Sequence, residues 1–156
     1  MIRIRTNQAP VLVCERHGTA VACSNYFMTF DTSQLQTALA KVPELRLALL
    51  FGSCATGAQR PDSDVDVAVD LGAVMTAEQH VALVTALALA TGRVVDLIDL
   101  RTVGEPLLGQ ILQNGCRILG RSDVHAQYMT RHVMDVEDFV PYQERILRER
   151  RQAWIG

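Results

Sequence analysis

Residues 51–67 read FGSCATGAQRPDSDVDV, and this stretch decides both the fold and the site. Gly52 and Ser53 follow an apolar segment, and ten residues later two aspartates flank a single valine. Side chains alternate faces along a strand that rises about 3.3 Å per residue, so Asp64 and Asp66 project from one face, roughly 6–7 Å apart. Two carboxylates this close repel each other, and a divalent cation between them relieves that repulsion. The segment therefore predicts a strand with a metal site on one face.

A third acidic residue is expected from residues 93–100, which read RVVDLIDL. Asp96 and Asp99 interrupt a strand-like apolar run, and three steps along a strand place them on opposite faces. Only one of them can therefore join Asp64 and Asp66. We select Asp96, because a carboxylate in the middle of an apolar strand needs a partner if it is buried, and a metal supplies one. Asp99 is nearer the strand end, where it is expected to cap the chain or meet water.

Gly52 and Ser53 are expected to form the phosphate-binding side of the site. Residues 45–51 (LRLALLF) read as a buried strand, and a glycine at its end lets the chain turn and a ligand approach the backbone. If Ser53 begins a short helix, its hydroxyl and the first free N–H groups can hold an anion. An anion site facing a carboxylate cluster is what a metal-bound nucleoside triphosphate requires.

At these residues the chain resembles the polymerase-β-like nucleotidyltransferase superfamily. Within it, the chain is most similar to the minimal nucleotidyltransferases (MNT type) that act as antitoxins beside a HEPN ribonuclease. The family pattern of Gly-Ser, ten residues, Asp-x-Asp and a later Asp is matched by Gly52, Ser53, Asp64, Asp66 and Asp96. The resemblance runs from about residue 31 to the C-terminus. One departure is Thr56, where many relatives carry an arginine that Arg60 would have to replace.

The resemblance implies a magnesium-dependent enzyme that moves AMP from ATP onto a tyrosine of a cognate HEPN toxin, with which it forms an oligomer. Asp64, Asp66 and Asp96 would be catalytic and would ligate two Mg²⁺ ions, while Gly52 and Ser53 would bind the nucleotide. The alternatives are a non-catalytic antitoxin that acts by occlusion and a small-molecule nucleotidyltransferase of the aminoglycoside type. The latter usually carries a further substrate-binding domain, for which 156 residues leave little room.

Three structural alternatives stay open from the residues alone. The strand that carries Asp64 and Asp66 could be an edge strand with a solvated face. Asp96 could pair with Arg93 or Arg117 instead of a metal. A site that binds nucleotide without catalysis is the third alternative.

Composition limits the class of protein. The net charge of −2 argues against a broad electrostatic grip on nucleic acid. The four cysteines show no C-x-x-C spacing, which favours free thiols in a reducing cytoplasm. The most apolar segment, residues 81–90, is half a membrane span at most. We therefore expect a soluble cytoplasmic protein that does not bind membranes.

The layout along the chain predicts one domain with an extension. Residues 1–30 hold strand-like pieces but no link to the motif, and a misassigned start codon or an accessory hairpin would explain them. Residues 31–156 are expected to form a single α/β (α+β) domain, with a mixed sheet and helices mainly on one face. The predicted helices span 32–42, 76–91 and 107–113, and the predicted strands span 45–51, 65–71, 94–100 and 116–119.

The C-terminal tail, residues 123–155, is expected to be helical. Proline interrupts helices, so we predict two pieces broken near Pro141. Apolar residues recur along one side and charged residues along the other, which is typical of an amphipathic helix. The apolar side would either fold back on the domain or contact a partner.

Overall fold

The computed structural model describes the backbone of residues 13–16, 19–22, 32–56 and 63–155. In the N-terminal extension, β1 (Val13–Arg16) and β2 (Thr19–Ala22) pair with each other as an antiparallel hairpin. The two strand-like pieces predicted there are therefore strands, and the role of residues 1–30 stays a prediction. Arg60, the expected substitute for the missing family arginine, lies outside the described residues.

A four-stranded mixed sheet forms the centre of the domain. Its strands are β3 (Leu47–Phe51), β4 (Val65–Asp70), β5 (Val95–Asp99) and β6 (Cys116–Gly120), in the order β5-β4-β3-β6. β3 runs antiparallel to both of its neighbours, whereas β4 and β5 are parallel. The predicted mixed α/β class is confirmed, because each of the four strands predicted between residues 45 and 119 is a strand of this sheet.

Five helices accompany these strands in the described residues. They are α1 (Thr32–Leu39), α2 (Gly52–Thr56), α3 (Ala77–Thr91), α4 (Leu107–Asn114) and α5 (Ser122–Ile155). α3 begins and ends where its capping residues, Thr76 and Gly92, predict. The Thr76 hydroxyl accepts from the Gln79 N–H, the Gln79 side chain accepts from the Thr76 N–H, and Gly92 follows in the left-handed conformation.

Two apolar clusters lie on opposite faces of the sheet. One joins α1 and α3 to Ala48 and Leu50, and the other joins α4 and the start of α5 to Leu47 and Leu49. The expectation that the helices lie mainly on one face is therefore wrong. Successive residues of β3 point to opposite faces and all four are apolar and buried, so both faces need a helical layer.

The C-terminal helix α5 passes through Pro141 without ending. The predicted break is therefore wrong for the backbone, because a proline removes a single helical N–H and can kink a helix without ending it. The side chains of residues 138–150 lie outside the described part of the chain, and the prediction of an apolar stripe there stays untested.

Among the helices that the structure describes, none combines the length and the apolar character needed to cross a bilayer.

Candidate active site

The three predicted carboxylates lie on one face of the sheet, at the edge where β4 and β5 begin. In the parallel pair of β4 and β5, Asp66 is the direct neighbour of Asp96. Asp64 comes two residues before Asp66, just ahead of β4. Burial raises the pKa of Asp66, and the charges of Asp96 and Asp64 raise that pKa further. The structure thus brings the three predicted residues together.

The carboxylates differ in exposure, and this corrects part of the sequence argument. Asp66 is half-buried, whereas Asp64 and Asp96 are exposed. The sequence favours Asp96 over Asp99 because a carboxylate that is buried needs a partner. However, β5 is an edge strand of the described sheet and leaves this face open at Asp96. A cation at this face would therefore offset the charges of the neighbouring carboxylates, and burial of Asp96 would play no part in holding it.

Asp99 lies on the opposite face of β5, as the alternation predicted. Its Oδ2 atom accepts from the Met75 N–H at 2.8 Å and its Oδ1 atom accepts from the Arg101 N–H at 2.9 Å. Asp99 therefore caps the loops at the end of the strand, and it takes no part in the carboxylate cluster.

Gly52 lies directly against the Asp66 carboxylate. Its φ angle of 66° is in the left-handed region that favours glycine. A Cβ atom built on Gly52 would overlap the Asp66 side chain. The sequence predicts that Gly52 lets a ligand approach the backbone. Within this chain, the group that lies against Gly52 is the Asp66 carboxylate. Ser53 follows in the first turn of α2 and is half-buried.

Two residues near the site have contacts that the sequence did not predict. The buried Cys54 thiol donates to the Asp64 carbonyl at 3.2 Å, and Arg93 Nη1 donates to the Ser63 carbonyl at 3.4 Å. Burial raises the pKa of the Cys54 thiol, which keeps it a donor at neutral pH. Together they anchor the segment that leads into the Asp-x-Asp strand.

Only part of this anchoring has a signal in the sequence. Cys54 belongs to the Gly-Ser motif itself, so its place near the site could have been predicted. Arg93 comes 30 residues after Ser63, and only the pairing of β4 with β5 brings the two together. Arg117, the other arginine weighed as a partner for Asp96, donates to the Ser122 hydroxyl at 2.7 Å.

The donor chemistry of the cluster fits a hard divalent cation. All three side chains offer carboxylate oxygens, which Mg²⁺ prefers. Burial raises the pKa of Asp66 and the charges of Asp96 and Asp64 raise it further, and a cation would offset the part that comes from these charges. Within the described ranges, no group of three or more His, Cys, Asp or Glu side chains is gathered tightly enough to enclose a metal ion. The three side chains are therefore candidate ligands of Mg²⁺.

The two free thiols that the described residues contain are Cys54 and Cys116, and both are buried. Cys14 and Cys23 lie outside the part of the chain whose side chains are described.

Comparison with known proteins identifies a family for most of the domain. Residues 33–124 match the family model described as "Polymerase beta, Nucleotidyltransferase". Over 79 residues the chain is 35% identical to the protein adenylyltransferase MntA of Shewanella oneidensis, and the match covers 51% of this chain and 57% of MntA. The matched part thus spans little more than half the length of this curated relative.

Solved structures have the same fold. A chain of a toxin–antitoxin crystal structure with AMP-PNP is 25% identical, with a TM-score of 0.69 over 76% of this chain and 97% of that chain. A chain from the complex of tri-AMPylated Shewanella oneidensis HEPN toxin with MNT antitoxin is 23% identical, with a TM-score of 0.62 over 74% of this chain and 92% of that chain. The family model covers more than half of the sequence and includes the Gly-Ser and Asp-x-Asp motifs, so this chain belongs to the polymerase β nucleotidyltransferase family.

Proposed function

We propose that this chain is a Mg²⁺-dependent protein adenylyltransferase that moves AMP from ATP onto a tyrosine of a HEPN-type toxin and so acts as its antitoxin. The observation that carries the proposal is the placement of Asp66 beside Asp96 on one face of the sheet, with Gly52 against Asp66. The name of the relative MntA supports protein adenylylation. The related toxin–antitoxin structure with AMP-PNP supports ATP as the nucleotide.

Each residue of the site has a role in this reaction. The Gly52 backbone and the Ser53 hydroxyl would bind the triphosphate, and Asp64, Asp66 and Asp96 would hold two Mg²⁺ ions. When bound, Mg²⁺ would neutralise phosphate charge and lower the pKa of the attacking hydroxyl. The tyrosine oxygen would form a bond to the α-phosphorus as the bond to pyrophosphate breaks, and Asp96 would accept the hydroxyl proton.

The exposure of the carboxylates favours a large acceptor. Asp96 is exposed on an edge strand of the described sheet, and Asp64 is exposed just ahead of β4. A protein surface can approach such an open face, whereas a small acceptor would gain little binding free energy from it, because small-molecule sites are usually concave. A HEPN-type toxin bound to this chain as a complex would present its tyrosine at this face.

Removal of two carboxylates tests the proposal directly. The Asp64→Asn/Asp66→Asn double variant and the wild type would be incubated with radiolabelled ATP, Mg²⁺ and a HEPN-type toxin from the same organism. We expect the wild type to label the toxin and the folded double variant to lose at least about a hundredfold in rate, because the phosphate charge is no longer neutralised. Asp123→Asn, which removes an exposed carboxylate of α5, is the matched control and should label normally.

The same variants separate the competing functions. If the double variant protects cells from the toxin as well as the wild type does, the chain acts by occlusion and the adenylylation proposal is wrong. If the wild type labels an aminoglycoside but not the toxin, the chain is a small-molecule nucleotidyltransferase.

A further inference from the structure

A second polar cavity lies at the far edge of the sheet from the carboxylate cluster. Asp70 ends β4 four residues after Asp66, which is about 13 Å along a strand. The cavity has a volume of about 240 Å³, room for several water molecules. Its lining comes from the start of β3, the ends of β4 and β5, and α5, and consists of Arg46, Asp70, Arg101, Gln127, Tyr128 and Arg131.

The lining carries more positive than negative charge. Three of its residues are arginines, and its one acidic residue is the buried Asp70. Asp135 lies beside the cavity and pairs with Arg131 at 3.3 Å. The charge of Asp99 also acts on Arg101, so with the surrounding carboxylates included three guanidinium groups face three carboxylates, and the excess of positive charge is confined to the lining itself.

The Asp70 carboxylate is satisfied without Arg46. Its Oδ1 atom accepts from Arg101 Nε at 2.9 Å and from the Gly72 N–H at 2.7 Å. The Tyr128 hydroxyl also hydrogen-bonds to Asp70. Arg46 Nη1 lies 3.8 Å from Oδ2, which is too long for a hydrogen bond. Its guanidinium therefore contributes charge to the cavity without being needed to satisfy Asp70.

Hydrogen bonds hold the side chains of Arg131 and Arg101 in place. Arg131 Nη1 and Nη2 donate to the Leu100 and Val103 carbonyls at 3.1 Å and 2.6 Å. Arg101 donates from Nε to Asp70, a bond that leaves its two Nη groups out. The backbone of Arg46 is fixed beside the cavity, because its N–H donates to the Asp70 carbonyl at 2.8 Å. Preorganised guanidinium forks match the oxygens of phosphate and lose little entropy on binding.

We propose that this cavity binds a small phosphate-type oxyanion, and that Arg46 and Arg101 are its principal ligands. The site is separate from the candidate nucleotide site, because the two lie at opposite edges of the sheet. The guanidinium groups of the lining offer charged donors to the ion, and the Gln127 amide offers a further donor. The proposal does not depend on the adenylylation reaction.

The experiment is a titration of ¹⁵N-labelled full-length protein with inorganic phosphate at constant ionic strength. Arginine Nε–H resonances are followed, and we expect saturable shifts at Arg46 and Arg101. Gln127→Glu adds a negative charge on the exposed side of α5 and should weaken binding by about tenfold or more, through like-charge repulsion. Ala126→Glu adds the same charge one residue away, outside the lining, and should leave binding unchanged.

Two further results decide the location of the ion. Arg46→Gln should abolish saturation, and Ser53→Ala should leave it intact. The proposal is overturned if no saturable shift occurs, if Ala126→Glu weakens binding as much as Gln127→Glu, or if Ser53→Ala abolishes the shifts. The last result would place the phosphate in the candidate nucleotide site.

Discussion

Asp66 and Asp96 are direct neighbours in the parallel pair of β4 and β5, and their carboxylates share one face of the sheet. Asp66 is half-buried, and its pKa is raised first by burial and then by the charges of Asp96 and Asp64. The domain therefore holds three negative charges close together at the candidate active site. Their repulsion disfavours the ionised form of Asp66 in the folded protein.

Asp66→Asn should stabilise the metal-free protein at neutral pH. The folded-state pKa of Asp66 lies above its unfolded value, so its contribution to stability is present below the unfolded pKa and lost as pH rises through the folded pKa. The Asp66→Asn variant has no carboxyl group to ionise, so it does not lose this stability as the pH rises. We expect a gain at pH 7 of less than about 1 kcal/mol, since the carboxyl is partly exposed, and no gain below about pH 4. Urea unfolding in EDTA at both pH values measures it.

Added Mg²⁺ should reverse the order of the two proteins. Under the proposed function, the wild type gains stability with Mg²⁺ because the ion binds only the folded state, and Asp66→Asn gains much less. Asp123→Asn serves as the control and should respond as the wild type does. An equal response of Asp66→Asn and the wild type would show that Asp66 is not a ligand.

Gly52→Ala should damage the site more than its conformational strain explains. Gly52 and Gly92 share a φ angle of 66°, but a Cβ atom would overlap the Asp66 carboxylate only at Gly52 and would meet open space at Gly92. Gly92→Ala is therefore a matched control that costs about 1–2 kcal/mol from the left-handed conformation alone. We expect Gly52→Ala to cost more in thermal unfolding and to lose transferase activity. Equal costs and retained activity would contradict this.

The two aspartates of β5 should respond in opposite ways to substitution. Asp99→Ala removes the acceptor of the Met75 and Arg101 N–H groups and should destabilise the fold by about 1–3 kcal/mol. Asp96→Ala removes an exposed carboxylate and should leave stability unchanged or slightly higher. When transferase activity is expressed per folded molecule, only Asp96→Ala should lower it. A loss of activity with Asp99→Ala in its folded fraction would reverse our assignment.

Tyr128 should titrate later than an ordinary tyrosine. Burial raises its pKa to about 12, and the charge and hydrogen bond of Asp70 add to the effect. Because the folded-state pKa is the higher one, the stability that Tyr128 contributes is complete below about pH 10 and is lost as pH rises towards 12. Asp70→Asn should lower the Tyr128 pKa without restoring the ordinary value, because burial remains. Absorbance of tyrosinate near 295 nm follows the titration, and an unchanged value would contradict the coupling.

Much of the candidate site could be predicted because it depends on local rules. Alternation along a strand places Asp64 and Asp66 on one face, and the same rule separates Asp96 from Asp99. The start and end of α3 follow from Thr76 and Gly92 in the same way. These features involve residues a few positions apart, so the sequence contains everything that determines them.

Apart from the helix break predicted near Pro141, the failures concern residues that are far apart in the chain. Nothing within residues 93–100 shows that β5 is an edge strand, so the exposure of Asp96 was missed. The second helical layer was missed as well, because it depends on how α4 and α5 cross β3. The network of Asp70 with Arg101 and Arg46 forms only where three strand ends meet.

The motif itself predicted the family and the five candidate site residues, since its spacing specifies a strand, a turn and a second strand through short-range geometry. Tertiary structure alone decided that Asp66 neighbours Asp96, that Arg93 reaches the Ser63 carbonyl and that surplus arginines line a second cavity. Each of these depends on contacts between segments about 30 or more residues apart. Such contacts form because the whole set of apolar faces must be buried together, and no single segment encodes that solution.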